Sequence, residues 1–426
     1  MAERLKSLLA VLLMIALAGL LFLSYAVSAV SRPLLIPDLI YEALKRGGSS
    51  ASADSSSLET AALPCRIAVS DGTGVFSPLN VWRYDELLSS SRQIIEEALG
   101  SASGAALMTR DEYTAALRDC GILYIYDLPL PFYVLYAWVD YGSTELDFDV
   151  YSLFVHTDGV SVSLLIRTPE DDFYRFDTQS NPQYILSVCS SYGPNGVFAF
   201  ETDTANCDPF DPLILEDSHL PYYGVLPPVF GASTEIPHEI MADLSVNSYL
   251  ASVYRDEDST VYVEGGNSLR IKSDGSIIYS SSQSGGIPVN LLPDASEKAQ
   301  DLETLNQIWK LVSSIWAKAS SSNCTLGLVS FEKNENGDTV FVFGAYLGGC
   351  FIDLGQPACS AVVSDGSITS VSVTPVRLSV AGSAEFMPFL QAAASLSGGE
   401  SLRIQYEEGE DGCFYPVMRA MKGGTR

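Results

Sequence analysis

Histidine is the commonest general base beside a nucleophile, so the three histidines limit the chemistry that this sequence could support. His156 falls in a predicted strand, whereas His219 and His238 fall in a proline-rich connection. None of them belongs to an H-E-x-x-H pattern, and the chain contains no G-x-S-x-G, Walker or G-x-G-x-x-G motif. We therefore predict no catalytic residue and no enzymatic activity.

Two acidic clusters, Asp256–Asp258 and Glu407–Asp411, could attract a cation. A calcium loop carries its ligands in a D-x-D-x-D-G pattern, which neither cluster follows. We interpret both as solvent-exposed turns, and we predict neither a metal site nor a cofactor.

The eight cysteines form no C-x-x-C pair, which argues against a zinc ribbon or a thioredoxin-like site. An even number outside a membrane permits disulfides, and Cys350 and Cys359 are the pair nearest in sequence in the C-terminal part. Small buried thiols explain the same residues equally well. The cysteines are Cys65, Cys120, Cys189, Cys207, Cys324, Cys350, Cys359 and Cys413.

The uncharged run Leu8–Val30 sets the organisation of the whole chain. As a helix it would reach roughly 34 Å, enough to cross a bilayer core with some tilt. Arg4 and Lys6 precede it, which favours a cytoplasmic N-terminus and an extracytoplasmic remainder. A cleaved signal peptide is the alternative, because Ser24-Tyr25-Ala26 and Val27-Ser28-Ala29 resemble cleavage sites. The apolar run is nevertheless longer than a signal peptide requires.

The formal charge of −28 comes from 52 acidic and 24 basic side chains. Such a surface repels phosphate backbones and anionic lipid headgroups, so we predict no nucleic-acid partner and no peripheral docking on an acidic membrane.

Apolar spacing in the first half predicts mixed helices and strands. Helices are expected at Asp85–Leu99 and after the Thr109/Glu112 capping box. Strands are expected at Ile122–Tyr126 and Phe132–Val139, followed by three short strands between residues 150 and 177. The proline-rich run Asp208–Pro237 is predicted to be a loop.

The second half predicts hairpins and one long helix. Residues Leu244–Val253 are expected to be helical, and short strands then follow up to residue 281. Asp294–Ala319 has the period of a long amphipathic helix, with Trp309 and Trp316 on its apolar face. A four-stranded meander comes after it, and we expect both tryptophans to be buried against that sheet.

The predicted fold class is α+β, with one N-terminal transmembrane helix and a multi-domain extracytoplasmic region of antiparallel sheets with packed helices. The predicted segments are residues 1–32 (cytoplasmic stub and transmembrane helix), 33–62 (juxtamembrane helix and flexible linker), 63–143 (N-terminal α+β domain), 144–290 (β-rich middle domain) and 291–426 (C-terminal helix-plus-sheet domain).

Three stretches resemble one known family. VYRDEDSTVYVEGGNSLRI at residues 253–271, followed by DGSIIYS at residues 274–280, resembles the middle region of the YycH family. FVFGAYLGGCFIDLG at residues 341–355, with AVVSDGSITSVSV at residues 361–373, is similar to the helix-plus-sheet module shared by YycH and YycI. The Trp82–Leu99 helix, the Ile122 strand and the Pro-Leu-Pro-Phe loop fit the YycH N-terminal domain.

The resemblance implies a non-catalytic, membrane-anchored accessory protein that regulates a WalK-like sensor histidine kinase of cell-wall homeostasis together with a YycI-like partner. A single pass could transmit a signal only by helix packing or displacement. The small side chains suited to such packing are Ala16, Gly19, Ser24, Ala26 and Ser28. An exported cell-envelope ligand-binding protein or enzyme is the alternative, and an inhibitor resembling a protease propeptide is a third possibility by fold analogy.

Overall fold

The structure is a computed structural model that describes residues 62–72, 75–76, 81–136, 146, 148–193, 210, 219–231, 235–282, 286–290, 296–385, 391–392, 394–397 and 400–422. The chain divides into two compact units, Met1–Asp54 and Ser55–Arg426, and every described residue lies in the second. The predicted transmembrane run Leu8–Val30 lies outside the described residues. Among the helices of the described part, none is long and apolar enough to cross a membrane.

The first sheet, sheet A, has seven antiparallel strands in the order β2-β1-β4-β5-β6-β7-β3. They are β1 (Arg66–Asp71), β2 (Val75–Phe76), β3 (Ser103–Met108), β4 (Cys120–Pro131), β5 (Asp149–Thr157), β6 (Val162–Arg167) and β7 (Phe173–Asp177). Every residue of β6 is buried, because helices and loops cover both faces of the sheet. This explains why its sequence, VSLLIR, does not alternate cleanly between apolar and polar residues.

Four helices accompany sheet A: α1 (Val81–Ser101), α2 (Arg110–Ala116), α3 (Phe132–Tyr136) and α4 (Pro182–Ser190). Helices α1 and α4 pack on one face, where the Tyr124 hydroxyl donates to the Ser91 carbonyl at 2.9 Å. Helix α2 packs on the opposite face through Tyr113, whose ring lies 4.6 Å from that of Phe173. The predicted capping box begins α2, with reciprocal hydrogen bonds between Thr109 and Glu112.

The second sheet, sheet B, has 14 strands. Its main path runs β19-β8-β21-β20-β16-β15-β17-β18-β12-β11-β10-β9, with β13 beside β18 and β14 beside β15. Among the described pairs in this sheet, the β16–β20 pair is parallel and the others are antiparallel. The strands are β8 (His219–Val225), β9 (Ser252–Arg255), β10 (Ser259–Glu264), β11 (Asn267–Lys272), β12 (Ile277–Ser281), β13 (Ile287–Pro288), β14 (Cys324–Lys333), β15 (Thr339–Leu347), β16 (Cys350–Asp353), β17 (Cys359–Ser364), β18 (Ser367–Val373), β19 (Leu378–Glu385), β20 (Glu400–Glu408) and β21 (Cys413–Lys422).

Helices α5 (Glu235–Asp243) and α6 (Glu297–Ala319) accompany sheet B in the described part of the chain. The prediction that α6 buries both tryptophans is confirmed, since Trp309 is 2% exposed and Trp316 is 5% exposed. The Trp309 ring lies 5.6 Å from Phe343 of the meander, and the Trp316 indole N–H donates to the Cys324 carbonyl at 2.9 Å. The cap of α6 is Ser296, whose side chain accepts from the amide of Ala299; the predicted helix start at Asp294 lies outside the described residues.

The predicted meander β14-β15-β17-β18 is confirmed, and its turn chemistry explains the register. Asp365 and Gly366 both have positive φ angles, 49° and 73°, as a two-residue type I′ hairpin requires. The short strand β16, which the sequence did not predict, pairs with the far end of β15.

Two predicted elements are wrong. The predicted strand Phe132–Val139 is wrong at residues 132–136, which form α3 directly after β4, and residues 137–139 lie outside the described part. Leu244–Val253 is not a helix: α5 ends at Asp243, Ser245 takes a left-handed φ of 55°, and Ser252–Arg255 is strand β9.

The predicted Asp208–Pro237 loop is wrong in part, since it contains strand β8 and the start of α5. Sheet A draws strands from both sides of the predicted boundary at residues 143 and 144, and sheet B from both sides of that at residues 290 and 291. The division into three domains, residues 63–143, 144–290 and 291–426, stays a prediction.

Candidate functional site

The histidines lie on three different elements. The His156 Nε2 atom on β5 donates to the Asp119 carboxylate at 3.1 Å, beside the Phe154 ring. His219 on β8 lies 3.5 Å from the Glu385 carboxylate, and His238 is exposed on α5. Within the described part, no serine, threonine or cysteine side chain hydrogen-bonds to His156. The His156–Asp119 pair therefore lacks the nucleophile that would complete a catalytic triad.

The acidic clusters lie at exposed positions of hairpin turns. Asp256–Asp258 joins β9 to β10, and Glu407–Asp411 spans the end of β20 and the following turn. The Asp411 carboxylate accepts from the Cys413 amide and the Tyr415 hydroxyl, so it stabilises its own turn. The described residues contain no group of three metal-ligating side chains.

The seven cysteines that the structure describes are free thiols; Cys207 lies outside the described residues. Cys350 and Cys359, a pair that could have formed a disulfide, are buried on separate strands. Burial raises the pKa of both thiols, to about 12 for Cys350, so they stay protonated at neutral pH. The buried-thiol interpretation holds for these two residues.

Cys120 and Cys189 differ from the other thiols because they contact each other. The hydrogen bond from the Cys189 thiol lowers the pKa of Cys120 and, together with burial, raises the pKa of Cys189. Cys189 is buried under sheet A and Cys120 is half-buried at the start of β4. No histidine or basic side chain contributes to either pKa shift. The pair therefore lacks the groups that would make it a catalytic dyad.

Two enclosed cavities lie between the sheets, each of about 20 Å³, which is room for about one water molecule. A wider recess of about 520 Å³ is an open polar groove. Its lining consists of Glu96, Glu97, Gly100, Ser101, Ala102, Ser103, Gln179 and Ser180. None of these three cavities combines an apolar lining with the volume that a small-molecule ligand needs.

The densest buried polar cluster is the junction where sheet A meets sheet B. Arg403 on β20 forms an ion pair with Asp127 on β4, donates at 2.6 Å to the Asp127 carbonyl, and donates to the Tyr151 hydroxyl on β5. Both charged side chains are about one-tenth exposed. Burial alone lowers the pKa of the Arg403 guanidinium, but Asp127 and Tyr151 raise it, and the net pKa shift is upward.

Sheet B contacts the same carboxylate a second time and packs closely beside it. The Tyr346 hydroxyl on β15 lies 3.5 Å from Asp127. Gly349, in the turn between β15 and β16, has a φ of 80°, and a Cβ atom there would come within 2.3 Å of the Cys65 carbonyl oxygen. Only glycine fits this approach. The junction therefore joins the two sheets by a buried ion pair and close backbone packing.

Sequence reasoning missed this junction. The available signal was Asp127 as the lone charge of CGILYIYDLPLP, and Arg403 between the apolar residues Leu402 and Ile404 of ESLRIQYEE. A charge at such a position needs a partner, but the sequence does not say which one. The predicted contact residues Ala16, Gly19, Ser24, Ala26 and Ser28 lie outside the described residues.

Comparison with known proteins gives one informative result. No protein-family model and no curated protein matches the sequence. Among solved structures, the crystal structure of YycH from Bacillus subtilis matches with a TM-score of 0.55 at 9% sequence identity. The match covers 86% of this chain and 95% of that one. At this identity the likeness concerns the fold alone, and the chain has the YycH-like fold that the sequence resemblance predicted.

Proposed function

We propose that this chain is an exported, membrane-anchored accessory protein that regulates a WalK-like sensor histidine kinase by contact. The observation that carries the proposal is the fold match to YycH along 86% of the chain. A fold by itself does not specify a function. The resemblance at residues 253–271 and 341–355, whose turns and strands lie in sheet B, adds independent support.

The described residues favour contact over catalysis. His156 has no nucleophile beside it, the buried thiols are protonated at neutral pH, and the two enclosed cavities admit about one water molecule each. A regulator of this kind shifts a kinase between two states only if it binds one of them more tightly. The exported unit would then set the position of the anchor helix, and that helix would favour one arrangement of the kinase helices.

The proposal places the N-terminus in the cytoplasm and the described unit outside, on a retained Leu8–Val30 helix. Protease treatment of intact cells is expected to digest the chain beyond the predicted linker and to leave the anchor in the membrane. Mature protein free in the medium, with an N-terminus near Ala26 or Ala29, would instead identify Leu8–Val30 as a signal peptide.

The proposed kinase contact is the anchor helix, whose small side chains are Ala16, Gly19, Ser24, Ala26 and Ser28, and a YycI-like protein is the proposed second partner. The contact can be tested in the full chain with a photoreactive residue in place of Leu20, which lies one helical turn before Ser24 and two turns before Ser28 and so shares the face of these two serines. The same substitution at Phe22, about 200° further around the helix, is the matched control. We expect a cross-link to the kinase from position 20 and much less from position 22. Equal or absent cross-linking at both positions would contradict the proposed helix contact.

A further inference from the structure

Within the described residues, β9 is the outermost strand at one end of sheet B, and its outer edge pairs with no other strand. It pairs with β10 alone, with Val253 opposite Tyr262. Asp256 and Ser259 exchange both backbone hydrogen bonds at the hairpin turn, at 2.8 and 3.5 Å. Because bonding alternates along an antiparallel pair, the amides and carbonyls of Val253 and Arg255 point away from β10.

The same segment concentrates exposed apolar side chains. Tyr249 is 96% exposed, Leu250 70%, Val253 53% and Tyr254 60%. Half of the exposed large apolar side chains in the described part of the chain lie in this short stretch. Single exposed apolar residues are ordinary, whereas a cluster on an open strand edge indicates an interaction site.

The buried face of sheet B continues out to this edge. A cross-strand row of apolar side chains runs from the core to solvent through Tyr279, Leu269, Tyr262 and Val253. Tyr279 and Leu269 are fully buried, Tyr262 is partly buried, and Val253 ends the row in solvent. The strand contains no proline, lysine or bulge, the features that normally protect an edge from pairing. An added strand would extend both the hydrogen-bond ladder and this row.

The charge beside the edge selects the kind of partner. Asp256, Glu257 and Asp258 are all exposed at one end of β9, and Arg255 is the one base among residues 252–258. We propose that the β9 edge binds an extended segment of a partner protein, with alternating apolar residues that add a strand and with lysine or arginine beside the acidic turn. The identity of the partner rests on the proposed function: if that function holds, the partner is the extracytoplasmic part of the kinase.

A second copy of this chain is the less favoured occupant. Each copy carries a formal charge of −28, so two copies repel each other, most strongly at low ionic strength. A partner segment rich in lysine or arginine is instead attracted by the negative charge of this chain.

The binding test uses the purified full-length chain and short synthetic peptides of alternating valine and threonine, followed by fluorescence anisotropy. One peptide ends in lysines, a second ends in glutamates, and a third is the lysine peptide with alternate backbone amides methylated. We expect the affinity of the lysine peptide to fall as the salt concentration is raised. At one salt concentration, we expect the glutamate peptide and the methylated peptide each to bind at least about tenfold more weakly than the lysine peptide. Equal binding of the methylated peptide would overturn strand addition, and equal binding of the glutamate peptide would overturn the charge selection.

Protein variants address the same edge. Val253→Pro removes an outward N–H at a position where an edge strand tolerates proline, and Val253→Ile keeps both the N–H and the apolar side chain. We expect Val253→Pro to lower the affinity for the lysine peptide about tenfold and Val253→Ile to leave that affinity unchanged. The two variants should melt at the same temperature. If Val253→Pro does not fold, the methylated peptide decides the question alone. Light scattering that shows a dimer lost in Val253→Pro would assign the edge to a second copy and overturn the proposal.

Kinase-dependent transcription separates this inference from the proposed function. If Val253→Pro regulates normally while exchange of the anchor abolishes regulation, the function stands and the β9 inference fails. If neither change affects transcription, the proposed function itself fails.

Discussion

Replacing Trp309 with alanine is expected to lower the free energy of unfolding by about 3–5 kcal/mol, the usual cost of removing a buried aromatic side chain. The indole is 2% exposed and packs at 5.6 Å on Phe343, so α6 and the meander share this contact. A cavity would remain between them, because the helix is held along its whole length by other buried side chains. Urea denaturation of the full-length chain, followed by far-ultraviolet circular dichroism, measures the change.

Lys310→Ala is the matched control, because Lys310 is the next residue on α6 and is exposed. We expect its unfolding free energy to stay within about 0.5 kcal/mol of the wild-type value. A Trp309→Ala protein that unfolds at the same urea concentration as Lys310→Ala would show that α6 does not depend on this packing.

Replacing Asp127 with alanine should also cost about 3–5 kcal/mol, because it leaves the Arg403 guanidinium buried at the junction without its carboxylate. The double variant Asp127→Ala/Arg403→Met removes both charges, and we expect it to be more stable than Asp127→Ala alone. The same urea experiment on wild type, both single variants and the double variant gives the interaction energy between the two side chains.

The ion pair between Arg419 and Glu407 provides the control, since Arg419 is half exposed and both residues belong to sheet B. Glu407→Gln should cost no more than about 1 kcal/mol, because this pair, with side chains 52% and 22% exposed, is screened by water more than Arg403 and Asp127 are. If Asp127→Ala costs no more than Glu407→Gln, the junction does not hold the two sheets together.

Much of the fold follows from local sequence. The Asp365-Gly366 turn, the Thr109/Glu112 box and the two tryptophans seven residues apart each encode an element through its own side chains. The predictions of the capping box and of the buried tryptophans are confirmed. The strands beside such turns carry a clear alternation, so their register follows from which residues are apolar.

The errors occur where local signals conflict with tertiary packing. The aromatic residues of Phe132–Tyr136 favour a strand prediction. The first four residues of α3 are all buried, so the sequence shows no alternation of apolar and polar residues with a helical period. Strand β8 contains Pro221 and was interpreted as part of a loop, but it lies between β19 and β21. The Asp127–Arg403 pair joins residues 276 positions apart, and nothing local could have predicted it.

The most direct test of contact-mediated regulation is to exchange Leu8–Val30 for an unrelated transmembrane helix in the full chain. Protease accessibility in intact cells and unchanged thermal melting would establish that the exchanged protein is exported, anchored and folded. We predict that kinase-dependent transcription then changes as it does when the whole gene is deleted, because the exported unit can no longer reach the kinase through its helix. Transcription indistinguishable from that of the wild type would contradict regulation through this helix.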